Sequence, residues 1–99
     1  MENLPTKASA LSNAKRLRIL EMLKHPSQHF GPDQPVDEKE GVCGLFIADK
    51  LGISAATASV HLKVLTQAGF IRPLRIGKYT YFKRVEKAIA EFARLIKKI

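Results

Sequence analysis

The chain has 99 residues, with 17 Lys+Arg against 9 Asp+Glu for a formal charge of +8. The length suits one domain spanning 1–99 and leaves no room for a second. With 45% apolar and 26% charged residues the composition is globular, which excludes collagen-like and disordered classes. No apolar run approaches a membrane span, and the start MENLPTKASAL lacks the basic-then-apolar pattern of a secretory signal. One cysteine, Cys43, cannot close an internal disulfide, so a cytoplasmic location is expected. So basic a small domain is expected to meet a polyanion.

In chain order, residues 4–24 read as helix. Leu11, Ala14, Leu17, Leu20 and Leu23 recur at three- and four-residue steps, giving one apolar stripe. Ser12 or Asn13 can cap or kink the stretch, so two helices meeting there are as compatible as one, and Pro26 ends it. Residues 25–41 hold three prolines and two glycines and read as a loop. Asp33, Asp37, Glu38 and Glu40 also lie there, so this loop is expected to point away from any nucleic acid.

From Val42 to Leu51 a short helix is predicted, packing through Leu45, Ile47, Ala48 and Leu51, with Gly52 as its left-handed stop. Ser54 then caps a second helix, whose inner side carries Ala58, Leu62 and Leu65 and which Gly69 closes. Phe70–Arg75 and Tyr79–Arg84 read as two strands joined at Ile76-Gly77-Lys78, and Pro73 puts the first at an edge or breaks it early. Val85–Ile99 is an amphipathic helix, apolar at Val85, Ala88, Ile89, Phe92, Leu95, Ile96 and Ile99.

Short helix, glycine turn and Ser-capped helix make a helix-turn-helix, and the hairpin after it makes a wing. The segment VCGLFIADKLGISAATASVHLKVLTQAGFI resembles the core of the ArsR-SmtB winged-helix repressors. The family's Ser-x-His-Leu-x-x-Leu-x-x-Ala-Gly run is matched by Ser59, His61, Leu62, Leu65, Ala68 and Gly69, with Ser54 at the helix start. Upstream, Ala10, Leu11, Arg16, Leu17, Ile19 and Leu20 are similar to its Ala-Leu…Arg-Leu-x-Ile-Leu helix, and RIGKYTYF is similar to its wing. The resemblance implies an α+β, mostly helical fold with a two-stranded β-hairpin wing, a homodimer through the terminal helices, and a repressor on an inverted-repeat operator.

In a helix-turn-helix the second helix enters the major groove of double-stranded DNA. With Leu62 and Leu65 inward, Ala55, Ala56, Ser59, Val60 and Lys63 face outward. Ser54, Thr57 and Ser59 can donate to phosphates or base edges, while Ala55, Ala56 and Val60 offer apolar contact such as a thymine methyl wants. No bidentate Arg or Gln reader is present, which favours A·T-rich sites read by methyl contacts, shape and wing. Arg75 and Lys78 complete the DNA-binding set from the wing. No acidic residue lies between Asp49 and Glu86, a stretch holding Lys50, Lys63, Arg72, Arg75, Lys78, Lys83 and Arg84.

Other chemistry is weaker. The resemblance places metal sites on the short helix or the last helix; the first has Cys43 alone and the last has no His, Cys or Asp. His25 and His29, interrupted by Pro26, could join Cys43 as zinc ligands, but match no known spacing, and no metal or cofactor is expected. Cys43 as a redox sensor would act through a partner thiol from a second chain or by sulfenylation. Ser59 and His61 are two apart on one helix and point apart, so they make no catalytic pair and no enzyme is expected. The alternative to DNA binding is a winged-helix RNA- or protein-interaction module.

Overall fold

A computed structural model describes residues 3–31 and 39–99. Helix α1 spans Leu4–Ala10 and α2 spans Ala14–Lys24, so the first helical stretch is two helices. Asn13 explains the break: its backbone is extended, and its Oδ1 accepts from the amides of Lys15 at 2.9 Å and Arg16 at 3.1 Å. Pro26 begins a one-turn helix α3, Pro26–His29, rather than only ending α2, because a proline's missing N–H costs nothing at a first helical position. The predicted loop over 25–41 is therefore corrected for that turn. Of its acidic residues, Asp33, Asp37 and Glu38 lie outside the described residues.

Strand β1, Val42–Cys43, precedes α4, Gly44–Leu51, where the sequence suggested only helix. Helix α5 spans Ala55–Gln67, β2 Ile71–Ile76, β3 Tyr79–Arg84 and α6 Glu86–Lys98. The sheet is antiparallel with order β1-β3-β2, so the two-stranded wing gains a third strand at its base: Val42 pairs with Phe82 and Cys43 with Tyr81. Gly41 makes this junction possible. At φ +97° it turns the chain so tightly against β3 that a Cβ there would sit 2.0 Å from the Phe82 carbonyl oxygen. Pro73 lies on the edge strand β2 opposite Phe82, as predicted.

The core gathers Ile19, Met22, Ile47, Leu65, Phe70 and Ile71, with Phe92 of α6 packed edge-on to Phe70 at 5.5 Å. Of the predicted apolar faces of the first helices and α4, Ala14 is exposed and Leu17 and Leu45 are each 50% exposed. The buried face of α2 runs through Ile19, Leu20, Met22 and Leu23, because β3, α3 and α5 pack against α2 there, whereas Leu17 lies off that side. No residue of α6 is buried, and Ile96 and Ile99 are exposed. Among the described residues no helix is long and apolar enough to cross a membrane.

Candidate nucleic-acid interface

The turn between α4 and α5 forms as its residues dictate. Gly52 stops α4 at φ +68°, and its amide donates to the Asp49 carbonyl. Ser54 Oγ accepts from the Thr57 amide at 3.1 Å and starts α5. Ala58, Leu62 and Leu65 anchor the helix inward, and Gly44 lets Phe82 and Leu62 close over the start of α4; a Cβ there would lie 3.2 Å from the Phe82 ring.

This seating leaves every predicted contact residue on the surface. Ser54, Ala55, Ala56, Thr57, Ser59, Val60 and Lys63 are exposed on α5 and its cap, Val60 by 61%, and Arg75 and Lys78 are exposed on the wing. Recognition helix and wing are brought together: Ala55 and Ser59 face Lys78, Tyr79 and Thr80 across a cleft of about 320 Å³ floored by Gly44, Leu62 and Phe82. Cys43 also lines it but is buried at the start of α4.

Hydrogen bonds refine several roles. Ser54 donates its hydroxyl to Thr57 Oγ1 at 2.9 Å, so its proton is committed to the helix cap and Thr57 keeps the outward donor. Arg75 Nε donates to the Gly77 carbonyl at 2.9 Å, bracing the wing tip and leaving its two Nη groups to face outward contacts. Gly77 takes φ +61° at the first of the two turn residues, the II′ arrangement that suits strand twist.

Two of the stretch's cations serve the fold instead. Arg84 donates through Nη1 to the Leu20 carbonyl at 3.1 Å and through Nη2 to Glu86 at 2.9 Å, and its side chain is largely buried. Lys83 Nζ donates to the Lys39 carbonyl at 3.3 Å. The exposed cations of this stretch are thus Lys50, Lys63, Arg72, Arg75 and Lys78, of which Lys78 lines the cleft.

His61 is half-buried and turned away from the exposed Ser59. Its Nδ1 accepts from Arg16 Nη1 at 3.2 Å. Burial, then the charges of Arg16 and Lys15, hold its pKa below the ordinary 6.5. Sequence spacing could not reveal Arg16, which sits 45 residues away. Among the described residues no group of three or more His, Cys, Asp or Glu is placed to hold a metal ion.

Residues 47–72, the α4-turn-α5 unit and its exit, match the family model described as winged helix-turn-helix DNA-binding. Over 89 residues the chain is 49% identical to the uncharacterized HTH-type transcriptional regulator YbzH of Bacillus subtilis, covering 89% of each chain. The chain belongs to the winged helix-turn-helix transcriptional regulators. It is a DNA-binding regulator, and its fold is that of ArsR-type members. Mb0332 of Mycobacterium bovis, a homodimeric winged helix-turn-helix domain described as a possible ArsR-family regulator, superposes with TM-score 0.70 at 24% identity, over 95% of this chain and 75% of that one. NolR of Sinorhizobium fredii superposes with TM-score 0.66 at 25% identity, over 97% and 83%.

Proposed function

We propose that this regulator is a cytoplasmic homodimeric repressor that acts by binding an inverted-repeat operator, not by catalysis. The observation that carries the reading is the exposed face of α5 set against the wing across one cleft, with Lys78 on its rim and Lys63 and Arg75 exposed on the same two elements. Thr57, Ser59 and Val60, with Ala55 and Ala56, meet the major groove, Ser54 holds the helix start against the backbone, and Lys63, Arg75 and Lys78 take phosphates. Three of these residues offer only apolar contact, which suits thymine methyls in A·T-rich half-sites.

The dimer is supported by α6, which lines up Leu95, Ile96 and Ile99 with none of them buried within one chain. The homodimeric state of Mb0332 supports the same arrangement. Two-fold pairing through α1 and α6 would set two copies of α5 about one DNA turn apart, near 34 Å. Selection of duplexes from a randomised pool tests the whole reading. Recovered inverted repeats with that spacing support it, as does a dimer by light scattering at micromolar concentration that Ile96→Glu converts to monomer. A purely 11 kDa wild-type species, or recovery of unrelated single sites, would refute it.

A further inference from the structure

The Arg16 side chain ties three elements together. Its Nε donates to the Ala10 carbonyl at 2.6 Å and its Nη2 to the Ser9 carbonyl at 3.3 Å, both at the C-terminal end of α1. Its Nη1 donates to His61 Nδ1 on α5. The backbone of Arg16 is itself fixed, since its amide is one of the two that Asn13 caps. One side chain therefore bridges from the C-terminal end of α1, across α2, to the middle of the recognition helix. A guanidinium has donors only, so the imidazole must accept at Nδ1 and carry its proton on Nε2.

We infer that Arg16 and His61 form a positioning clamp that seats the recognition helix for specific DNA binding, and that protonation of His61 releases it. An imidazolium has no acceptor and would place a second positive charge against the guanidinium. The inference rests on the reading that α5 reads the DNA. The field at the imidazole comes from Arg16 and Lys15 of α2, which both oppose protonation. Of the other elements packed on α5, α4 carries Asp49 and Lys50 and β2 carries Arg72 and Arg75. Helix α1, which lies beside Val64, Gln67 and Ala68 of α5, carries Lys7 as its charged side chain and offers the two carbonyls that already hold Arg16. The clamp is thus closed at neutral pH and opens as pH falls below the ordinary histidine range.

The consequence is acid-sensitive selectivity. Protonating His61 adds positive charge to the protein, so non-specific electrostatic attraction does not weaken. Specific binding does, because a loosened α5 loses its register in the groove while the wing and Lys63 keep their phosphates.

The test uses the full chain, a duplex recovered from the randomised pool and a scrambled duplex of equal length, at fixed ionic strength. The ratio of the two affinities should fall at least roughly fivefold between about pH 7.5 and 5.5, and by no more than about a hundredfold per pH unit for two clamps. His61→Asn, which keeps an acceptor near the Nδ1 position and cannot titrate, should hold the ratio flat. Arg16→Lys, which keeps the charge but loses the fork, should lower the ratio at neutral pH with an unchanged salt slope.

Imidazole ¹⁵N spectra of the wild type need no variant, and should report the Nε2–H tautomer at neutral pH. A flat wild-type ratio, the same pH profile in His61→Asn, or an Nδ1–H tautomer would overturn the clamp. Ser59→Ala separates the two levels of the argument. If it shifts the selected sequences while the wild-type ratio is flat, only the clamp falls. If it leaves them unchanged, the reading of α5 falls and the clamp with it.

Discussion

Lys78 at the wing tip offers a measurement that reports phosphate contact and subunit number together. It is exposed beside Gly77, where the Arg75 hydrogen bond braces the turn. Each phosphate neutralised on duplex DNA contributes about −0.9 to the slope of log K against log salt. The five exposed cations from Lys50 to Lys78 in one chain become ten in a two-fold dimer, so contacts from this stretch set a slope near −9 at most. In a dimer Lys78→Ala removes two contacts and should flatten the slope by about 1.8; in a monomer it removes one and should flatten it by about 0.9.

The wild-type and variant lines should converge near 1 M salt, where counterion release no longer favours binding, and separate by roughly eightfold per lost contact at 0.1 M. Fluorescence anisotropy with a labelled duplex at four or five salt concentrations gives both slopes. Lys97→Ala, on the far end of α6, should leave the slope unchanged. Parallel wild-type and Lys78→Ala lines would refute the wing as a phosphate contact, and a wild-type slope shallower than about −2 would refute the whole cationic surface.

Ser59→Ala removes a hydroxyl from the outward face of α5 and should change which duplexes are selected, at a cost of about 1 kcal/mol on the preferred site. Gly41→Ala should lower stability by about 3 kcal/mol, from positive φ plus displacement of the β1–β3 pairing, whereas Gly52→Ala, with open space around its Cβ, should cost about 1 kcal/mol. Thermal melts compare the two, and equal losses would show that the approach to Phe82 carries no weight. Zinc, cadmium or arsenite at micromolar levels should not dissociate a preformed complex, since a tight site needs three or four fixed ligands. Release by metal that disappears in Cys43→Ser would contradict this.

The recognition unit was legible because its signals are local. Gly52, Ser54 and Gly69 punctuate α4 and α5, and the spacing of Ala58, Leu62 and Leu65 fixes which face of α5 is left outside. The wing strands were legible within a residue from YTYFKR and the glycine turn. Strand β1 was not, because two residues carry no alternation and Val42–Cys43 is a strand only through Phe82 and Tyr81, some forty positions on. Likewise the stripe on the first helices included Leu17 although it is half exposed, since periodicity gives a face but not the neighbour that packs on it.

Charge shows the same limit at the functional surface. An acid-free run of seven cations reads as one basic patch, yet Arg84 is spent on the Leu20 carbonyl and Glu86, and Lys83 on the Lys39 carbonyl. In the proposed interface, what remains for DNA is a smaller set of exposed cations: Lys63 on the helix, Arg75 and Lys78 on the wing, with Lys50 and Arg72 also exposed. In that interface Ala55, Ala56 and Val60 would make undirected apolar contacts, so their discrimination would depend on where the helix sits, not on hydrogen-bond geometry of their own. Under the clamp inference, selectivity in this protein would be set largely by residues that never touch a base: the wing cations that hold the register, and Arg16, which fixes α5 to α1 and α2 from behind.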